Sequence, residues 1–133
     1  MMDLKYSQIQ ELCEIMNCSA TELPGELEEN WLLATDSEAD EHASELVLDS
    51  IWAFRPSFLS GATGIDQEVF EAIRANGRCE DNNNAIIAII DSTCGITHFV
   101  AQAIQTEGRG HFISSYDGEE HEISGNLYLY RLN

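Results

Sequence analysis

Over roughly the first hundred residues apolar positions recur at steps of three and four, the period of one face of an α-helix. Ser7 opens a Ser-x-x-Gln box ahead of Ile9, Leu12, Cys13 and Met16, which predicts a helix over 7–17. Ser19 and Glu22 form a second box, Pro24 falls early enough to be tolerated, and a helix is expected over 25–35. Asp36 is placed to cap the longest helix, 37–54, whose core face is Ala39, Ala43, Leu46, Val47, Ile51 and Phe54. Arg55-Pro56 ends it, and residues 58–64 read as a connector broken by Gly61 and Gly64. Asp66 caps a helix running to Asn76, with Ile65 and Phe70 as a hydrophobic staple, Phe70 and Ile73 inward, and Gly77 as its stop.

Residues 78–84 read as a polar loop that caps the next element. Ala85 to Ile90 is apolar all round and fits a buried strand or a central helix; its alanines and the flanking helices favour helix. A helix over 96–105 follows, with Phe99, Val100, Ala103 and Ile104 on one face and Gly108 as its stop, and then a short helical turn over 111–116. Beyond that the period changes to two. His121-Glu122-Ile123 and Leu127-Tyr128-Leu129-Tyr130-Arg131 flank Ser124-Gly125-Asn126, a hairpin signal because Gly and Asn accept the positive φ of tight turns. A lone hairpin is marginal in water, so it must pack on the helices by its leucines or its tyrosines. The expectation is a mostly α protein: one acidic domain over 1–133, with five or six helices over about 7–107 and a short turn and β-hairpin over 108–133.

Charge changes this picture more than composition does. The chain holds 24 Asp and Glu against 6 Lys and Arg, a formal −18, which repels nucleic acid and anionic membrane and favours basic protein surfaces. The field is uneven: residues 1–50 carry 13 acids and only Lys5, a net −12, and the remainder carries 11 acids and five arginines, a net −6. An apolar content of 44% with regular periodicity marks a folded chain despite that charge. No apolar run approaches the roughly 18–20 residues of a spanning helix, and the N-terminus lacks the pattern of a secretion signal, so a cytoplasmic location is expected.

Motifs exclude more than they assign. The stretch 7–23 is similar to the opening of a helix-turn-helix, but Glu22 and Glu26 stand where a reader of DNA presents Arg, Lys, Asn or Gln. Residues 58–64 lack the order and the lysine of a phosphate loop. Asp81 and its neighbouring asparagines lack the Gly and bidentate Glu of a calcium loop. Cys13, Cys18, Cys79 and Cys94 have no zinc spacing and are expected as reduced thiols. His98, His111 and His121, with Cys94, Asp117, Glu119 and Glu122, hold the ingredients of a metal or thiol site without its spacing, so no enzyme, metal or cofactor is expected. His111, Asp117 and Arg131 are expected to fasten the hairpin by hydrogen bonds and a salt bridge.

Arg109-Gly110-His111-Phe112, followed by Ser115-Tyr116-Asp117-Gly118-Glu119-Glu120 and the closing Tyr128-Leu129-Tyr130-Arg131-Leu132-Asn133, resembles the C-terminal signature of small acidic proteins encoded by tailed bacteriophages. The resemblance covers residues 108–133 and implies a viral accessory protein; it brings no catalytic residue.

Two surfaces carry the functional expectation. Glu38, Glu41, Glu45 and Asp49 lie three or four residues apart along one helical strip, and Glu26, Glu28 and Glu29 precede them. A solvated face explains such a strip without function. As an interface it imitates the phosphates of nucleic acid, and duplex DNA, with a charge about every 1.7 Å of axis, requires more than one acidic helix to imitate it. The expected function is a phage-type inhibitor of a basic, nucleic-acid-handling host protein, such as a CRISPR effector or restriction enzyme. One alternative is a viral structural or assembly factor that binds another protein through Tyr116, Tyr128 and Tyr130; the other, ranked last, is an enzyme whose activity would depend on His111 or Asp117.

Overall fold

The alternating run at the end of the chain forms the middle strand of a sheet. In the computed structural model, which describes residues 3–75 and 80–133, strands β1 (Trp31–Thr35), β2 (His121–Ile123) and β3 (Leu127–Arg131) pair in the order β1-β3-β2, all antiparallel. Trp31 lies opposite Arg131 and Thr35 opposite Leu127; His121 lies opposite Leu129 and Ile123 opposite Leu127. Around this sheet the protein is mostly α: α1 (Tyr6–Met16), α2 (Leu23–Glu29), α3 (Asp36–Asp49), α4 (Pro56–Thr63), α5 (Gln67–Ala75), α6 (Glu80–Ser92), α7 (Ile96–Glu107) and α8 (Arg109–Ile113), with a 3-10 turn at Ile51–Ala53. The chain forms two compact units, 1–42 with 109–133, and 43–108. No single helix among the described residues is long and apolar enough to cross a membrane.

In the first unit the leucine face of the sheet makes the core. Leu12, Leu23, Trp31, Ile123, Leu127 and Leu129 are buried together, with Cys13, Met16, Cys18 and Leu33 packed against them. Cys13 and Cys18 are free thiols, and burial pushes the Cys18 pKa up. The hairpin turn is tied to α1, since Gln8 Nε2 donates to the Ser124 carbonyl at 2.7 Å and the Ser124 hydroxyl donates to Glu11. Gly125 and Asn126 take the expected positive φ, 85° and 61°.

The expected helix over 25–35 is corrected. It ends at Glu29, and Trp31–Thr35 is strand β1. The run Trp-Leu-Leu-Ala-Thr is apolar enough for either state, and the ladder to β3, far along the chain, decides between them. Two helix starts also move. α1 begins at Tyr6, where Gln8 Oε1 accepts the Lys5 N–H at 2.8 Å, so Ser7 is not the cap. α3 is capped by Thr35 instead of Asp36: the Thr35 N–H donates to Glu38 Oε1 at 2.9 Å and the Glu38 N–H donates to Thr35 Oγ1 at 3.3 Å. The Ser19 and Glu22 box forms as expected, with Ser19 N–H to Glu22 Oε1 at 3.1 Å, and closes the turn into α2.

In the second unit the single helix expected over 37–54 stops at Asp49 and tightens into the 3-10 turn. Buried Asn83 explains the break: its Nδ2 donates to the Asp49 carbonyl at 2.7 Å and its Oδ1 accepts the Trp52 N–H at 2.8 Å. With those tertiary bonds Asn83 sits inside α6, and the loop expected up to Asn84 is helix from Glu80 on. The expected stop at Gly77, with Arg78 and Cys79, lies outside the described residues. Residues 58–64, expected as a glycine-broken connector with at most one helical turn, fall largely in α4, which has Pro56 in its first turn and Gly64 as a left-handed cap at φ 77°. Phe54, Phe58 and Phe99 pack ring against ring at 5.5–5.7 Å, beside α6 with buried Ile86 and Ile90.

Candidate functional site

A glycine-capped helix end delivers the main polar cluster of the first unit. Gly108, at φ 88°, ends α7, and Arg109 starts α8 with its side chain only 11% exposed. Its Nη1 lies 2.7 Å from Asp36 Oδ1 and 3.1 Å from Asp40 Oδ1, and its Nε donates to Glu120 Oε1 at 2.8 Å. The guanidinium also covers the Tyr128 ring at 4.5 Å. Burial opposes the charge, but the bonds to Glu120 and Asp36 outweigh it and raise the Arg109 pKa. Tyr130, fully buried, donates its hydroxyl to Glu120; burial and then that bond push its pKa up, so the phenol stays protonated. The three carboxylates around the guanidinium lock the start of α3, α8 and the approach to β2 together.

The second arginine of this unit is also engaged. Arg131 stacks over Tyr116 at 3.9 Å and Trp31 at 5.5 Å, and its Nε donates to the Asn133 carbonyl at 2.8 Å. Asp117 accepts the Glu119 N–H at 3.0 Å, the main cause of its lowered pKa, and the Ser114 hydroxyl at 2.8 Å. The fastening expected of His111 falls to Arg109: His111 is exposed and its ring packs edge-on against Phe112. Sequence reasoning missed Arg109, Asp36, Asp40 and Glu120 as one cluster, because they come from three distant stretches.

The acids expected to meet a partner divide by role. Glu28 and Glu29 on α2 are exposed, and Glu26 is half-buried with its Oε2 accepting Asn30 Nδ2 at 3.2 Å. Glu38 is exposed but engaged in the α3 cap, and the Thr35 N–H and hydroxyl hold its pKa below the ordinary carboxylate value. Glu41 is exposed within the first unit, and Glu45 and Asp49 are exposed on the part of α3 that belongs to the second. The first unit carries fifteen acids against Lys5, Arg109 and Arg131, a formal −12.

The tyrosine surface is narrower than expected. Tyr130 is fully buried, which removes it from any interface, and Tyr128 is half-buried under Arg109. Tyr116 is 57% exposed and is the member of the three that meets solvent broadly.

A groove of about 930 Å³ opens beside β1, floored by Leu4, Ile9, Leu23, Leu27, Leu32 and Leu33 and bordered by Asp3 and Glu28. Nothing in the periodicity pointed to it, since it depends on β1 being a strand. Among the described residues no three His, Cys, Asp or Glu side chains gather into a metal-binding group. No protein-family model, no curated protein and no solved structure matches the chain.

Proposed function

We propose that this chain is a phage-type inhibitor that binds a basic, nucleic-acid-handling host protein and occupies a groove meant for nucleic acid. The observation that supports this reading is the disposition of charge in the first unit. Two of its three cations, Arg109 and Arg131, are committed to internal contacts, while Glu28, Glu29 and Glu41 stand exposed. With both arginines engaged in internal contacts, the unit's net −12 is presented to solvent by its exposed carboxylates. Glu45 and Asp49 extend the acidic positions along α3. Viral origin rests on the likeness of residues 108–133 to the phage signature.

The test is a pull-down from a bacterial lysate at low and raised salt. The wild-type chain is compared with one carrying Glu28→Gln, Glu29→Gln, Glu41→Gln and Glu45→Gln. Glu38 is left out because its loss would also uncap α3. Salt-sensitive capture of a nuclease or polymerase, lost in the variant, is the expected result. Capture that survives both salt and the variant would sink it. The assembly-factor reading keeps Tyr116, whose exposure favours it, and predicts capture of a viral structural protein that Tyr116→Ala abolishes.

A further inference from the structure

We propose that the groove beside β1 takes an extended segment of a partner protein as an added strand, with apolar residues at alternate positions and lysine or arginine at its flanks. The groove is lined by Leu32 and Leu33, which are consecutive. Consecutive residues of a strand point to opposite faces, so a groove touching both wraps around the strand's edge. One edge of β1 is paired with β3; the groove therefore follows the other, the outer edge of the sheet.

The hydrogen-bond phase of that edge is fixed. Leu132 N–H donates to the Asn30 carbonyl at 2.8 Å, so in the antiparallel alternation Leu32 and Ala34 direct their main-chain groups at β3. Trp31, Leu33 and Thr35 direct theirs outward, and Thr35 confirms the phase by donating its N–H to Glu38. Leu33 thus offers an outward N–H and C=O at the groove. Sheet edges are ordinarily guarded by charge, proline or a bulge. The other edge strand, β2, carries His121 and Glu122, whereas β1 reads Trp-Leu-Leu-Ala-Thr, with no charge and no proline.

Charge selects the occupant. Asp3 and Glu28 border the leucine floor, and Lys5 is the one basic residue before Arg55 in the sequence. An apolar strand with basic ends satisfies both floor and border, in the manner of strand addition to an exposed sheet edge. A second copy of this chain would bring its own Asp3 and Glu28 against the same carboxylates, which disfavours self-pairing. The basic flanks deepen the reading of the chain as a ligand of a basic protein; the apolar, extended middle follows from the groove alone.

The probe is a synthetic peptide of alternating valine and threonine with two lysines at each end, titrated into the isotope-labelled full chain and followed by NMR. Saturable shifts at the amides of Leu4, Ile9, Leu27 and Leu33, with slowed exchange of the Leu33 amide, are expected. Replacing the lysines by glutamates is expected to weaken binding at least about tenfold. Leu33→Pro removes the outward donor without touching the β1–β3 ladder and is expected to weaken it similarly. Leu27→Lys, which places a positive charge on the floor, serves as the second variant, and circular dichroism checks that both fold. Absence of binding, shifts spread over the exposed acids, or equal affinity in both folded variants would overturn the proposal. So would dimerisation through β1, which would assign the edge to a second copy. The readout is the groove's own amides with a synthetic ligand, so it stands apart from whether the acids of α2 and α3 capture a host protein.

Discussion

Arg109 and Tyr130 share one acceptor: Glu120 Oε1 takes the Arg109 Nε–H at 2.8 Å and also the Tyr130 hydroxyl. A carboxylate oxygen holding a buried phenol on one side and a nearly buried guanidinium on the other fixes the angle between α8 and the central strand. Arg109→Met is expected to destabilise the chain by about 2 kcal/mol, read from the urea midpoint. That is less than the roughly 3–5 kcal/mol of a fully buried pair, because Asp36 and Asp40 stay about half exposed and are partly screened. Arg109→Lys should recover only part of the loss, since an ammonium cannot reproduce the fork that reaches Glu120 and Asp36 together.

Tyr130→Phe isolates the other arm. Losing one hydrogen bond to a charged acceptor is expected to cost about 1.5–3 kcal/mol. The phenol also sets an alkaline limit. Its folded pKa is raised above the ordinary 10.0, so its contribution is complete below 10.0 and is lost as pH rises beyond it, where the unfolded chain ionises first. Urea midpoints measured across that range should fall in the wild type and fall less in Tyr130→Phe.

At the acid end the two capping boxes respond to pH. Glu22 and Glu38 both have pKa values below their ordinary 4.5, each chiefly through the backbone N–H of its cap residue, Ser19 or Thr35. Their stabilisation is therefore intact above 4.5 and declines as pH falls through the lowered folded values. Protonation elsewhere relieves the self-repulsion of a −18 chain, so the effect is read as a difference. The gap in stability between wild type and Glu38→Gln should close as pH is lowered, and a gap independent of pH would contradict the box.

Two glycines should respond in opposite directions to alanine. A methyl group at Gly110 would stand 2.5 Å from the Gly118 carbonyl oxygen and 2.9 Å from the Glu119 carbonyl carbon, both main chain that cannot rotate away. Gly110→Ala is expected to cost about 1–3 kcal/mol, the range for overpacking. Gly61 lies inside α4 with nothing within 4 Å of the added carbon, and Gly61→Ala should stabilise by about 0.5–1 kcal/mol. Thermal melts of the two variants test both signs.

Asn83 gives the fifth stability test. It is buried and satisfies a carbonyl and an N–H at the end of α3, so Asn83→Ala should cost about 1–3 kcal/mol by leaving Asp49 O and Trp52 N without it. Asn83→Asp keeps the acceptor but loses the donor to Asp49, and is expected to be no better.

What the sequence disclosed follows the range of each interaction. α1, α5 and α7 were legible because the residues of each apolar face lie within a few positions of one another, and α7 also because Gly108 stops it. The turn at Gly125-Asn126 was legible for the same reason. Trp31–Thr35 was not: five apolar residues carry no period that separates helix from strand, and the partner that decides lies at 127–131. The break after Asp49 was hidden likewise, since its cause is Asn83. Of the candidate site, the acids could be listed from sequence but not sorted. Only contacts show that Glu38 serves a cap, that Tyr130 is interior, and that Arg109 answers for three carboxylates at once.

The middle position of β3 bears on how the chain is made. All of residues 43–108 precede Leu127–Arg131 in the chain, so the second unit does not depend on β3 for its own residues, whereas the stretch 1–42 shares its sheet with β3. Until β3 arrives, β1 lacks its one neighbour in the sheet, and Leu12, Leu23 and Trp31 lack the leucines that cover them. The segment that holds β1 therefore completes its sheet only with residues nearly a hundred positions further along, and its uncharged strand lacks a partner until they are in place.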